Sequence, residues 1–275
     1  PNETTAKSRG MIADKLKITL LGCGTSVGVP CLGRAGWGLC DPNEPKNRRQ
    51  RCALLVQSET TTVLVDAGPD IRNQLLPLDI PRLDGLLITH THSDHVAGLD
   101  DLRVYYWPDK KEIDMYATQT HGNDIIARMP YMFKKKKESP SYFVPPLKHH
   151  EIAAGQSLNI GDIKIDVLHQ DHGTTFSLGF IFNNLCGYST DVKDMPEENF
   201  SKLASLPLWI VETLRETEHQ AHAHYALTFS WIERVKPKQA VLTHLGLEAD
   251  YQTLLARCPE GVEPGYDGMV FELNR

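Results

Sequence analysis

Three features of the sequence predict an α/β (α+β) chain built as a four-layer αβ/βα sandwich, two mixed β-sheets face to face with helices outside. The chain divides into two halves, and each runs through several short apolar segments before helical patterns appear. Those segments are rich in Val, Ile and Leu and are bounded by Gly, Pro, Asp and Asn, the signature of strands buried in a sheet. The histidines and aspartates cluster just after these strands, so a folded sheet would gather them at one edge. In a chain of 275 residues with no linker-like stretch between the halves, residues 15–275 are expected to form one domain behind a polar tail, 1–14.

Composition narrows the function. The formal charge of -6 leaves no global basic footprint for gripping long nucleic acid. No apolar run is long enough to span a bilayer and no signal-like segment opens the chain, so a cytoplasmic protein without a membrane partner is expected. The six cysteines are scattered without a close CxxC pair, as reduced and mostly buried thiols are.

Taken in order, Pro1 to Asp14 is polar and aperiodic. Lys17 to Leu21 is a short strand ending in the glycine-rich turn Gly22 to Pro30; Pro30 argues against the helix that a dinucleotide fingerprint requires. Cys31 to Arg51 is a long loop with a basic cluster, Lys46, Arg48, Arg49 and Arg51. Ala53–Gln57 and Thr62–Asp66 form a hairpin, and Asp66-Ala67-Gly68-Pro69 breaks it and opens a helix through Leu76. Gly85 to Ile88 is a buried strand, and Val96 to Leu102 the first turns of a helix. Between them lies Thr89-His90-Thr91-His92-Ser93-Asp94-His95. While the chain is still extended, residues two apart point the same way, so His90 and His92 can grip one ion. Asp94 and His95, at the turn into the helix, face elsewhere and can hold a second. Imidazole and carboxylate suit zinc, and carboxylate-rich sites also take manganese or iron. A His-rich polar loop or a lone structural zinc is the plainer alternative.

Farther on, Ile113–Ala117 is a strand and Gln119–Met129 a helix. Residues 131–150 hold four consecutive lysines, Lys134 to Lys137, and three prolines, and so read as an excursion from the fold: a flap, a dimer contact or a solvated loop. Ile163–Leu168 alternates as a half-buried strand and delivers His169-Gln170-Asp171-His172. Phe176–Phe182 and Leu185–Ser189 are further strands, the latter followed by Asp191. Leu208–Val211 is a strand followed by Glu212 and the cluster His219, His222 and His224. Tyr225–Val235 is an amphipathic helix, and Lys238–Leu242 a strand before His244.

The His90–His95 run resembles the HxHxDH signature of the metallo-β-lactamase superfamily, and matches follow that family's order from about Leu16 to Leu273. Within the superfamily the sequence looks like the PhnP-like phosphodiesterases of the carbon-phosphorus lyase pathway, and more distantly like tRNA 3′-processing endonucleases. The resemblance implies two divalent metal ions, manganese or zinc. His90, His92 and His172 would hold the first and Asp94, His95 and His244 the second, with Asp191 bridging. His172 is preferred to His169 from its spacing to Gly179. Asp66 would support the metal loop without binding metal, and His222, 22 residues before His244, would be the general acid. Asp94 would also orient the attacking hydroxide. Thr25, Ser26, Arg215 and His224 are expected to contact substrate, with a plain tight turn the alternative for Thr25 and Ser26. Asp267, in a C-terminal motif, is expected to form a turn. The small zinc site of PhnP-like enzymes is not expected, because Cys31 and Cys40 lack cysteine partners and Leu247 stands where a histidine would be.

The expected function is therefore hydrolysis of a small, cyclic or nucleotide-type phosphodiester. A tRNA-processing ribonuclease, a lactamase and a nucleotide-binding module without hydrolysis are the alternatives. The expected partner is the small-molecule substrate, with a homodimer left open.

Overall fold

The computed structural model describes residues 12–275, so most of the predicted tail lies outside the described residues. Its last residues are tied down: the Ala13 amide donates to the Asp162 carbonyl, and Asp14 accepts from the Arg275 amide. The first sheet comprises β1 (Lys15–Gly22), β2 (Ala53–Gln57), β3 (Thr62–Val65), β4 (Gly85–Leu87), β5 (Ile113–Ala117) and β6 (Leu147–Glu151). The second comprises β7 (Ser157–Ile160), β8 (Ile163–His172), β9 (Thr175–Phe182), β10 (Cys186–Ser189), β11 (Leu208–Glu212), β12 (Gln239–Thr243) and β13 (Val262–Pro264). The last strand, β14 (Met269–Asn274), returns to the first sheet, giving the orders β14-β1-β2-β3-β4-β5-β6 and β13-β12-β11-β10-β9-β8-β7. The helices are α1 (Ile71–Leu75), α2 (Ser93–Val96), α3 (Tyr106–Asp109), α4 (Gln119–Arg128), α5 (Glu197–Leu203), α6 (Tyr225–Val235) and α7 (Tyr251–Leu255).

The central strands are apolar along most of their length because both their faces are covered. Along β2 and β3, Leu54, Val56, Val63 and Val65 belong to the core between the sheets, with Phe180, Tyr188 and Trp209. The alternate residues Ala53, Leu55 and Leu64 belong to a second core that includes Ile71 of α1 and Ile125 of α4. Beyond the antiparallel pairs, β3-β4-β5-β6 and β10-β11-β12-β13 run parallel. Parallel strands end together, so the residues that follow them collect along one edge of each sheet, where ligands bind in open α/β sheets.

Four expectations are corrected. The helix after His92 starts at Ser93, not Val96, with His92 as its extended N-cap (φ -62, ψ 149), because the short polar residues of Ser93-Asp94 are well suited to a first turn. The strand read as Ile163–Leu168 continues to His172, paired residue by residue with β9 as far as Thr175. The 131–150 excursion ends at Pro146, since Leu147–Glu151 is β6, parallel to β5. Prolines exclude strand only where they stand, and none lies beyond Pro146 in that segment. Finally, Asp267 is more than a turn residue. Its carboxylate accepts from the Cys23 amide at 3.1 Å and the Gln50 amide at 2.6 Å, joining the loop after β1 to the chain entering β2, and burial pushes it up to about 7.

Replacing Asp267 with Ala strands two amides and should destabilise the protein by about 1–3 kcal/mol. Urea unfolding measures this, and a loss below a few tenths of a kcal/mol would show that the amides find other partners.

Candidate metal centre

The centre is built from one buried carboxylate outward. Asp66, fully buried and at positive φ (62°) just past β3, accepts from the Thr89 amide and hydroxyl, both at 2.8 Å, and lies 2.7 Å from Nδ1 of His95. It therefore clamps both ends of the segment that carries His90, His92 and Asp94. With Nδ1 of His95 donating to Asp66, Nε2 turns into the cleft, 3.1 Å from Asp191 Oδ2 and 3.2 Å from Asp94 Oδ2.

Other histidines follow the same rule, one ring nitrogen held and the other turned inward, as metal-binding histidines are oriented. His172 Nδ1 donates to the Ala221 carbonyl at 2.7 Å, and its Nε2 is 3.2 Å from His92 Nδ1. His244 Nδ1 lies 2.9 Å from Glu212 Oε1, and its Nε2 3.4 Å from Asp191 Oδ1. His90 Nδ1 is 3.1 Å from the Thr89 hydroxyl, and its Nε2 3.8 Å from Asp191 Oδ1. Two groups of donors result, His90, His92, His172 and Asp191, and Asp94, His95, Asp191 and His244, each with its ligand atoms within 4.8 Å of one another. Asp191 belongs to both. The alternation of β8 settles which histidine arrives: His172 is buried on the inner face, and His169 is exposed.

A cation fits this arrangement. Nε2 of His90, His95 and His244 are buried without a hydrogen-bond partner, a costly state for a polar atom that a divalent ion relieves. The imidazole and carboxylate donors suit zinc or manganese. The charges of the protein alone are focused on the same point. Burial opposes a proton on His95, yet Asp191 and Asp66 outweigh it and hold the ring well above its usual range. Burial likewise opposes charge on His244, but Asp191 and Glu212 raise it to about 9. Burial disfavours the ionised Asp191, but His244, His95 and His90 hold it well below the usual carboxylate range. His90 goes the other way, pushed down by burial and by the neighbouring His95.

Asp191 is also at positive φ (52°), as is His244 (56°); non-glycine residues adopt that conformation at a cost of about 1–3 kcal/mol. A buried network holds the Asp191 turn. Ser177 Oγ donates to the Asp191 carbonyl at 2.8 Å, and Gln170 Nε2 donates to Ser177 Oγ at 2.9 Å and to the Thr190 carbonyl at 3.0 Å. The next amide, of Leu178, donates to the Thr89 carbonyl at 2.9 Å. Two adjacent residues of β9 thus tie the ligand loops of both sheets. Gly179 leaves the room this needs, since a Cβ there would stand 2.4 Å from Gln170 Oε1.

His222 is brought beside the centre. Its ring stacks on His244 with centroids 4.8 Å apart, and Nδ1 is 2.5 Å from Glu212 Oε1. Glu212 is the residue that sequence reasoning missed. It is fully buried, its other oxygen accepts from the Val192 amide, and it contacts both His222 and His244. The available signal was a carboxylate closing the apolar run Leu208–Val211, as Asp66 closes β3. His219 lies against His222, with ring centroids 4.8 Å apart. The remaining predicted contacts are more peripheral. Arg215 donates to the carbonyls of Thr217 and Glu218 and lines an open cleft of about 790 Å³ with Gly173, Lys193 and His219. His224 is the N-cap of α6 and stands outside both donor groups. Thr25 and Ser26 form a tight turn closed by the Gly28 amide on the Thr25 carbonyl, while the Thr25 amide donates to the Leu245 carbonyl next to His244. The Cys40 thiol donates to the Leu247 carbonyl at 3.5 Å, with the buried Arg49 guanidinium beside it.

Two outcomes are expected. Ion binding displaces the protons that the raised pKa values of His95 and His244 favour, so apparent affinity should fall as pH is lowered, by about tenfold per pH unit for each proton displaced. Calorimetry in buffers of different protonation enthalpy reads the proton count, and heats independent of buffer would contradict it. Ser177→Ala should weaken metal binding about 10- to 100-fold, read by competition with a chromophoric chelator, while unchanged affinity would limit Ser177 to a folding role.

Comparison with known proteins agrees with this geometry. Residues 61–245 match the β-lactamase superfamily domain. The chain is 33% identical over 257 residues to a Porphyromonas gingivalis protein named octanoyltransferase, an alignment covering 92% of this chain and 51% of that protein. It is 30% identical over 143 residues to ribonuclease Z of Bradyrhizobium diazoefficiens, covering 51% and 46% of the two. The chain thus spans about half the length of these curated relatives. A crystal structure of a diphosphatase from the PhnP family shares 27% identity and superposes with a TM-score of 0.85 over 95% of this chain and 99% of that one. The chain belongs to the metallo-β-lactamase superfamily.

Proposed function

We propose that the protein is a phosphodiesterase carrying two divalent ions, manganese or zinc, and that it hydrolyses a small cyclic or nucleotide-type phosphodiester. The observation that carries this reading is Asp191, shared by two complete donor groups, with His222 poised beside them, its Nδ1 4.0 Å from Asp191 Oδ1. His90, His92 and His172 would hold one ion and Asp94, His95 and His244 the other. Divalent ions at such a centre supply Lewis acidity toward phosphate oxygens and a water acidic enough to ionise near neutral pH.

The chain's own residues do the rest. Asp94, half-buried at the start of α2, accepts a proton or orients the attacking water; burial opposes its ionisation, but the hydrogen bond from His95 holds its carboxyl below the usual range. The departing alkoxide needs a proton. His222 has Nδ1 committed to Glu212, which fixes the ring and leaves Nε2 as the atom that donates. Glu212 remains ionised because, although burial opposes it, His222 and His244 outweigh that cost. The open cleft beside His219, with Lys193 and Arg215 on its rim, leaves room for the alcohol portions and favours an anionic ester.

Metal-stripped protein resupplied with manganese or zinc should cleave bis(p-nitrophenyl) phosphate and leave nitrocefin intact; activity on nitrocefin alone, or on neither compound with both ions bound, defeats the proposal. His222→Ala should lower turnover about 10²- to 10⁴-fold with metal content unchanged. Loss of metal in that variant would make His222 a ligand instead.

A further inference from the structure

One imidazole beside the centre has no part in the mechanism above. His219 is half-buried, lines the open cleft of about 790 Å³ and lies against His222, with ring centroids 4.8 Å apart. Its Nδ1 accepts from the Ala221 amide at 3.2 Å. A ring nitrogen that accepts carries no proton, so the proton of the ring is on Nε2. Burial and then His222 lower the pKa of the ring, which favours this neutral form. Nε2 has no hydrogen-bond partner among the described residues, and it remains as a fixed N–H donor on the wall of the cleft.

The chain is shaped to hold that donor. Arg215 folds back on its own turn, with Nε donating to the Thr217 carbonyl at 3.2 Å and Nη2 to the Glu218 carbonyl at 2.9 Å. The Arg215 carbonyl accepts from the Tyr225 amide at 3.1 Å, which closes the base of the loop. Ala221 gives its amide to His219 and its carbonyl to Nδ1 of His172, at 2.7 Å, so the ring is tied to a residue of the first donor group. Gly173 lets the two segments meet, since a Cβ there would stand 3.0 Å from both the Gln220 carbonyl oxygen and the Ala221 Cβ. His219 and His222 thus stand side by side, each with Nδ1 committed and Nε2 free. Lys193 and Arg215 on the rim are countered in part by Glu218, so this wall offers hydrogen bonds more than charge.

Resting on the phosphodiesterase reading, we propose that His219 is a specificity-determining residue whose Nε2–H donates to a hydroxyl on the carbon next to the departing oxygen. In the reaction the oxygen of water joins phosphorus, the bond from phosphorus to the ester oxygen breaks, and that oxygen leaves with the proton of His222. Two donors this close reach oxygens on neighbouring carbons, so the substrate is an ester of a vicinal diol, one oxygen on phosphorus and the other free, as in a sugar.

Adenosine 3′,5′-cyclic phosphate and its 2′-deoxy counterpart test this, because they differ only in the hydroxyl beside the 3′ oxygen. Wild-type protein loaded with manganese should cleave both to the 5′-monophosphates, with kcat/KM higher for the ribo compound by about 3- to 10-fold, the effect of one hydrogen bond between neutral groups. His219→Ala should bring that ratio to near unity with metal content and the melting transition in place. His219→Gln, which keeps an N–H donor, should retain part of it. Arg215 is a positioning residue acting through the turn, so Arg215→Ala should lower the ratio too, and the double variant should lose no more than His219→Ala alone. Additive losses would make Arg215 a direct contact and overturn that role. A wild type without preference, a ratio untouched by His219→Ala, an equal fall on both substrates, or cleavage of neither alongside turnover of bis(p-nitrophenyl) phosphate would overturn the inference. Loss of all three activities defeats the phosphodiesterase reading itself.

Discussion

The clamp of Asp66 on Thr89 and His95 is the interaction on which the site depends. A carboxylate with no exposed surface is costly, and burial raises its pKa despite the opposing pull of His95 and Thr89. That cost is offset only if every lone pair is used, and here one carboxylate fixes an amide, a hydroxyl and an imidazole at the two ends of a six-residue step. The orientation of His95 and the path of the chain through His90 and His92 follow from it.

The second sheet repeats the device. Glu212 closes β11 as Asp66 follows β3, is equally buried, and directs His244 and His222 through one carboxylate while its second oxygen holds the Val192 amide beside Asp191. Each half of the sandwich thus contributes a buried carboxylate that touches the rings of the ligands and keeps their inner nitrogens aimed at a common point. The two halves meet through Ser177 and Leu178 of β9, so the separation of the donor groups is set by sheet geometry and not by loop flexibility. Three turns in left-handed backbone conformation, at Asp66, Asp191 and His244, are the local strain that this focusing requires.

Function in this arrangement is distributed by distance from the centre. The buried residues fix ligand geometry, the half-buried His222 faces the cleft, and the open cleft beside Arg215 is shallow and lined by loop residues. The last is the part of such folds that varies most freely with substrate, because loop backbone there bears no sheet hydrogen bonds.

Much of this was legible in the chain. Strands buried on both faces announce themselves as apolar runs, and a dense His-Asp segment directly after one of them marks a candidate metal loop, since both signals are local. That signal alone nominates His90, His92, Asp94 and His95 as candidates, and the family's order nominates His172, Asp191, His222 and His244. What the sequence could not display is proximity. Glu212 reads as an ordinary strand end until the parallel register sets it opposite Thr243 and therefore beside His244. Gln170 and Ser177 gain their role only when β8 and β9 pair, and Leu147–Glu151 becomes a strand because β5 offers it an edge. Arg215 is satisfied by the carbonyls of its own loop, a partner that no residue pattern records. Short-range pattern fixes which residues can form an element, whereas backbone pairing between distant segments decides which buried groups must satisfy one another.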